Sequence, residues 1–120
     1  MIDARKQIAT ELKSVCPNVK MTKPDGVVTL PLICYALMED TILNVAYDRL
    51  RWRVAVYAET FVGMLDLVKQ VDAKMEALGY TRTYETPDTD SRIDTSLYLK
   101  RLDYQALVNK QYFTVVKGSK

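Results

Sequence analysis

The stretch Arg49-Leu50-Arg51-Trp52-Arg53-Val54-Ala55-Val56-Tyr57-Ala58-Glu59-Thr60 alternates apolar residues with arginines and then stops at a threonine. Side chains of a strand point to opposite faces with a period of two. Leu50, Trp52, Val54 and Val56 therefore share one face, and Arg49, Arg51, Arg53 and Tyr57 share the other. The spacing predicts a strand with a core face and a basic face. Thr60 offers an N-cap hydroxyl to whatever follows. Phe61, Met64, Leu65, Val68, Val71, Met75 and Leu78 then recur at helical spacing before Gly79, a residue suited to a left-handed C-cap. Asp66, Lys69, Asp72, Lys74 and Glu76 occupy the opposite side. A strand handing directly to a helix that is apolar on one side points to helices lying on a sheet.

Upstream, Leu32 to Glu39 is apolar on both alternating faces, with Leu32, Cys34, Ala36 and Met38 on one and Ile33, Tyr35 and Leu37 on the other. That pattern predicts a central strand covered from both sides, its second face closed by a loop or another subunit. Ile2 to Val15 reads as a first amphipathic helix ended by Pro17. Residues 17–31 read as a loop or hairpin, with Pro24, Asp25 and Gly26 in turn order, and Lys20, Lys23, Pro24, Asp25 and Gly26 as the residues of a projecting loop. Downstream, Tyr80 to Thr86 reads as a short strand, Pro87 to Ser91 as a turn, and Leu97 to Val108 as a long last strand, extended or paired by Tyr112 to Val116. Lys117 to Lys120 reads as a frayed tail. The expectation is one α+β domain over residues 1–120, built on a mixed or antiparallel sheet of about four strands with two helices packed on one face.

Composition narrows the function. The 120 residues are 48% hydrophobic and 27% charged, with 17 basic against 15 acidic side chains, the balance of a globular chain rather than a disordered one. Charges of both signs are interspersed and the pI is about 8.5, so no dense basic patch marks a free-standing nucleic-acid binder. No apolar run approaches the ~18 residues that span a bilayer. Met1 to Thr10 carries Asp3, Arg5 and Lys6 without an apolar core, which predicts synthesis in the cytoplasm without export.

The chemical inventory is sparse. There is no histidine, which removes the commonest general base and metal ligand. Gly26, Gly63, Gly79 and Gly118 are scattered, and none opens a phosphate loop. Cys16 and Cys34 lack a metal-ligand spacing and read as buried thiols. Glu85, Asp88, Asp90 and Asp94 are the one group able to gather a hard cation, but Arg92 sits among them and Asp, Ser and Thr suit a solvated turn. The chain is therefore expected to be no enzyme and to carry no cofactor or metal. Arg49, Arg51 and Arg53 could meet phosphates or a partner's carboxylates, or pair at home with Glu39, Asp103 and Glu85.

Leu50 to Thr60, with its R-x-x-V-x-V-Y-A character at Arg51 to Ala58, is followed by the helix that ends Leu78-Gly79-Tyr80-Thr81-Arg82. Further on stand Tyr84 to Asp88 and the aromatic-rich Tyr98-Leu99-Lys100-Arg101-Leu102-Asp103-Tyr104. In that order the segments resemble the small tail-completion, or tail-terminator, proteins of siphophages, over most of Pro31 to Val108. The resemblance implies a virion protein of the tail and neck, made in the host cytoplasm. Such proteins form a ring, usually a hexamer, that caps the tail tube, docks to the head-completion or stopper protein, and leaves a lumen for DNA. On that basis Tyr35, Leu37 and Tyr57, with the loop Lys20 to Val28, are expected to supply subunit contacts. Arg49, Arg51 and Arg53 are expected to set register or line the lumen. A head-side adaptor or stopper of the neck, and a monomeric protein-binding adaptor, remain the alternatives.

Overall fold

The computed structural model describes residues 4–21 and 29–116. In chain order the elements are α1 (Ala4–Val15), β1 (Val19–Lys20), β2 (Leu32–Ile42), β3 (Tyr47–Ala58), α2 (Phe61–Ala77), β4 (Thr81–Glu85), a 3-10 turn (Asp88–Asp90), β5 (Arg92–Asp94), β6 (Leu97–Asn109) and β7 (Thr114–Val115). The class is α+β, two helices packed against a mixed, strongly curled sheet of seven strands, a half-barrel.

The main path of the sheet runs β1-β2-β3-β6-β4, and only the β1–β2 pair is parallel. The sheet has seven strands where the sequence predicted about four. The surplus strands are two or three residues long, too short to show alternation. β1 pairs with the start of β2, while β5 and β7 exist because β6 is 13 residues long. One edge of β6 pairs with β3 from Tyr98 to Asn109, and the other is filled in turn by β5, β4 and β7. At about 3.3 Å per residue β6 alone is about 43 Å long. That matches the longest dimension of 49 Å and a radius of gyration of 14.7 Å, above the ~13.5 Å expected for a rounder chain of this length.

Leu50, Trp52, Val54, Val56 and Ala58 face the helices, joined by Leu102, Tyr104, Ala106 and Val108 of β6. Ala4, Ile8, Leu12 and Cys16, each four residues apart, bring α1 into the same cluster, and Met64, Val68, Val71 and Met75 bring α2. Trp52 fills the centre. Its indole Nε1 donates to the Tyr80 hydroxyl at 3.2 Å, so burying it strands no polar group. Thr60 caps α2, its hydroxyl accepting from Gly63 N at 3.0 Å, and Gly79 follows the helix at φ 98°, both as the sequence predicted. The N-terminal turn of α1 is tied down by Ala4 N donating to Phe113 O.

Two expectations change. β2 is not central: β3 and β6 are, while among the described residues β1 covers β2 at Ile33 and Cys34 alone. Its two-sided apolar start, Leu32 to Tyr35, is buried, but Leu37 and Met38 are exposed, so the sequence pattern averaged two environments. Lys20 lies in β1 rather than in a loop, while Lys23, Pro24, Asp25 and Gly26, like the tail 117–120, fall outside the described residues.

Candidate functional site

The face of the sheet turned away from the helices carries the odd positions of β3. Arg53 is held by Asp103 through two parallel bonds, Nε to Oδ1 at 2.8 Å and Nη2 to Oδ2 at 3.1 Å, the two residues being cross-strand partners. Arg49 Nη2 donates to Glu39 Oε1 at 3.0 Å, and the Thr41 hydroxyl donates to the same oxygen at 2.5 Å. Together they hold the Glu39 carboxyl below its ordinary pKa, the hydroxyl first and the guanidinium second. Arg51 Nε is 4.0 Å from Glu39 Oε2, too far for a hydrogen bond, and is buried without an acceptor. Arg101, exposed beside Ala55, joins this face. Four arginines thus meet two carboxylates on one surface. Two of the home partners expected from the sequence, Glu39 and Asp103, are the ones found. The third, Glu85, lies on the helix side instead, where Lys100 and Arg82 reach it.

Tyr35, Leu37 and Tyr57 do not form one patch. Tyr57 is on the arginine face, with its hydroxyl pKa raised by burial. Tyr35 and Leu37 pair with Val54 and Trp52 and so lie on the helix side, where the Tyr35 and Trp52 rings stand 6.0 Å apart. Alternation fixed their relation to each other, but only the register with β3 fixes which side they share. Around Tyr57 a shallow depression of about 120 Å³ is lined by Cys34, Tyr35, Ala36, Arg53, Ala55 and Arg101, so Tyr35 borders it as well.

Two of the four acidic residues, Glu85 and Asp88, form an internal clamp, while Asp90 and Asp94 are exposed and Asp94 caps Thr95. Lys100 is on the helix side opposite Val56, and its side chain is 2% exposed. Its ammonium donates to Glu85 Oε1 at 2.8 Å and to Asp88 Oδ1, filling the place a bound cation would take. Burial pulls the Lys100 pKa down, and the two carboxylates more than reverse it. A second, larger hollow of about 480 Å³ opens between α2 and β4. Its polar groups answer one another: Tyr104 and Arg82 both donate to the Asp72 carboxylate, and burial, then that bond, keeps the Tyr104 phenol protonated. No paired nucleophile and base stands in either hollow.

The feature that sequence reading missed is the tip of the β2–β3 hairpin. Ile42 is 72% exposed and Val45 96%, with Leu37, Met38, Leu43 and Tyr47 exposed around them. Asn44 orders this tip, its Oδ1 accepting from Ala46 N at 2.8 Å and Tyr47 N at 2.9 Å. The signal was present as Asn44 inside the apolar run Ile42 to Tyr47, a turn residue where a solvated loop would be polar. The turn is well bonded and yet holds large apolar groups in water. No family model matches the chain, and no curated protein matches its sequence.

Proposed function

We propose that this chain is a structural subunit of a long-tailed phage, a tail-completion protein that assembles as a ring, usually a hexamer, at the end of the tail tube and joins it to the head. The observation that carries the proposal is the ordered, exposed apolar tip Ile42 to Tyr47 beside the length of β2 that has no second strand partner among the described residues. An apolar surface of this kind on an otherwise well-packed chain is stabilised by assembly, not by chemistry. The order of strand, capped helix and aromatic closing strand that carries the family resemblance supports the same reading. With both helices on one face, the arginine face is left for a neighbour or a lumen. Its partial neutralisation by Glu39 and Asp103 suits DNA that slides past without being gripped, because each unneutralised cation adds to salt-dependent phosphate affinity.

A second reading draws on the same open edge. An uncovered strand accepts an extended peptide by strand addition, as an adaptor would use it. The two readings separate when the protein is added to polymerising tail-tube protein and tube lengths are measured by electron microscopy. A tail-completion protein shortens the tubes and decorates one end, whereas an adaptor leaves their length distribution unchanged.

A further inference from the structure

We propose that copies of this chain join edge to edge into one continuous sheet, the outer edge of β2 from Tyr35 to Glu39 in one copy pairing antiparallel with β4 of the next and Tyr84 serving as the anchor. The inference rests on the ring reading above and names the surface that would build it.

The sheet has two unequal edges. On one, β2 from Tyr35 to Ile42 has no strand partner beyond β3 among the described residues. On the other, β4 pairs only with β6, and Thr81, Arg82, Thr83 and Tyr84 are all exposed. Between them β2, β3, β6 and β4 alternate in direction, so the two edge strands run oppositely. Rotation about an axis along the strands preserves strand direction. Copies related by such a rotation therefore meet β4 to β2 in antiparallel fashion, and the junction is heterologous, as a closed ring requires. Pairing β2 with itself about Glu39 or Asp40 would set carboxylates of the two copies against each other, which is repulsive across neighbouring strands.

The register fixes what meets what. Tyr35 is level with Val54, Leu102 and Glu85, and Glu39 is level with Arg51, Gln105 and Thr81. The five residues of β4 therefore stand at the height of the five from Tyr35 to Glu39. Each segment carries one bulge, at Leu37/Glu39 and at Arg82/Tyr84. Bulges and charges on an edge discourage pairing with a straight foreign strand. The two bulges stand one position apart, on either side of the level shared by Leu37 and Arg82, so the bends of the two edges lie next to each other.

Ala36 is level with Arg53, Asp103 and Tyr84. Tyr84, 48% exposed and on the arginine face, thus comes to lie beside Ala36 of the neighbour, where the depression floored by Ala36 and Ala55 and flanked by Tyr57, Arg53 and Arg101 receives its ring. Tyrosines seated in such hollows are typical binding hot spots. Ile42 is level with Asp48, Val108 and Val115, so the apolar tip lies at the height of the neighbour's β7 and the turn bearing exposed Tyr112.

The test mixes two differently tagged variants, Met38→Cys and Thr83→Cys, with tail-tube protein present, and treats them with a short thiol cross-linker. Wild-type protein, whose Cys16 and Cys34 are buried, is the blank. The expected result is a cross-link between the two tags in the mixture and none within either variant alone, together with association weakened about ten-fold or more by Tyr84→Ala at unchanged melting temperature. A closed oligomer without the mixed cross-link, or with Met38→Cys linked to itself, overturns the edge pairing and leaves the ring reading standing. A protein that is monomeric throughout overturns both.

Discussion

β3 serves two different regions of the molecule. Between Leu50 and Val56 its even positions lie beneath α1 and α2 and are at most 1% exposed, with Trp52 at the centre. At its start, Tyr47 belongs to a hairpin tip where Val45 is 96% and Ile42 72% exposed. The residue types are alike, and what differs is what lies above them. The core region is complete within one chain: its apolar groups are covered, and its indole, the Tyr80 and Tyr104 phenols and the buried Lys100 ammonium have partners. The tip is equally ordered by Asn44 yet leaves large side chains in water. The comparison separates residues that hold the fold from residues whose burial needs a second molecule.

Trp52→Ala attacks the core side of that comparison hardest. It removes the largest buried side chain and a donor to Tyr80, and should cost about 3–5 kcal/mol in urea denaturation. Next comes the Lys100 clamp, where direction matters more than size. Glu85→Gln with Asp88→Asn leaves the buried ammonium without countercharge and should cost about 2–3 kcal/mol, while Lys100→Met, which leaves only partly exposed carboxylates behind, should cost less than that pair. Equal losses would mean that the clamp is not set by burial of the cation.

On the tip side, Val45→Asp should leave stability within about 0.5 kcal/mol of wild type and yet abolish self-association. A large loss of stability would show that the tip is part of the fold after all. The smallest effect concerns Glu39. Its folded pKa is depressed, so the stability it contributes is present above the ordinary value of 4.5 and is lost as pH falls through the folded value. An NMR titration should place the Glu39 midpoint below 4.5, and Thr41→Val or Arg49→Ala should each move it back up.

The core region was legible in the sequence because alternation from Arg49 to Tyr57 and helical spacing from Phe61 to Leu78 are long enough to show their period. Thr60 and Gly79 were legible because a cap hydroxyl and a left-handed residue are local requirements. The short strands β1, β5 and β7 were not, or only in outline, since two or three residues carry no period; β1 owes its pairing to the start of β2, and β5 and β7 owe theirs to the length of β6. The side on which Tyr35 and Leu37 lie depends on register with β3, a non-local property. The end of β2 was placed at Glu39 because two acidic residues follow the apolar run. The strand continues to Ile42 because Glu39 finds Arg49 and Thr41 across and along it. Of the candidate site, the arginine row and two of its carboxylate partners were readable, and the apolar tip was not.

The central claim is that the exposed region exists to be covered by assembly. Light scattering of the purified protein over a range of concentrations, with and without tail-tube protein, measures this directly. The account predicts a closed oligomer, or a monomer that becomes one on the tubes, and its loss in Val45→Asp. A wild-type protein that stays monomeric at every concentration and ignores the tubes would contradict it.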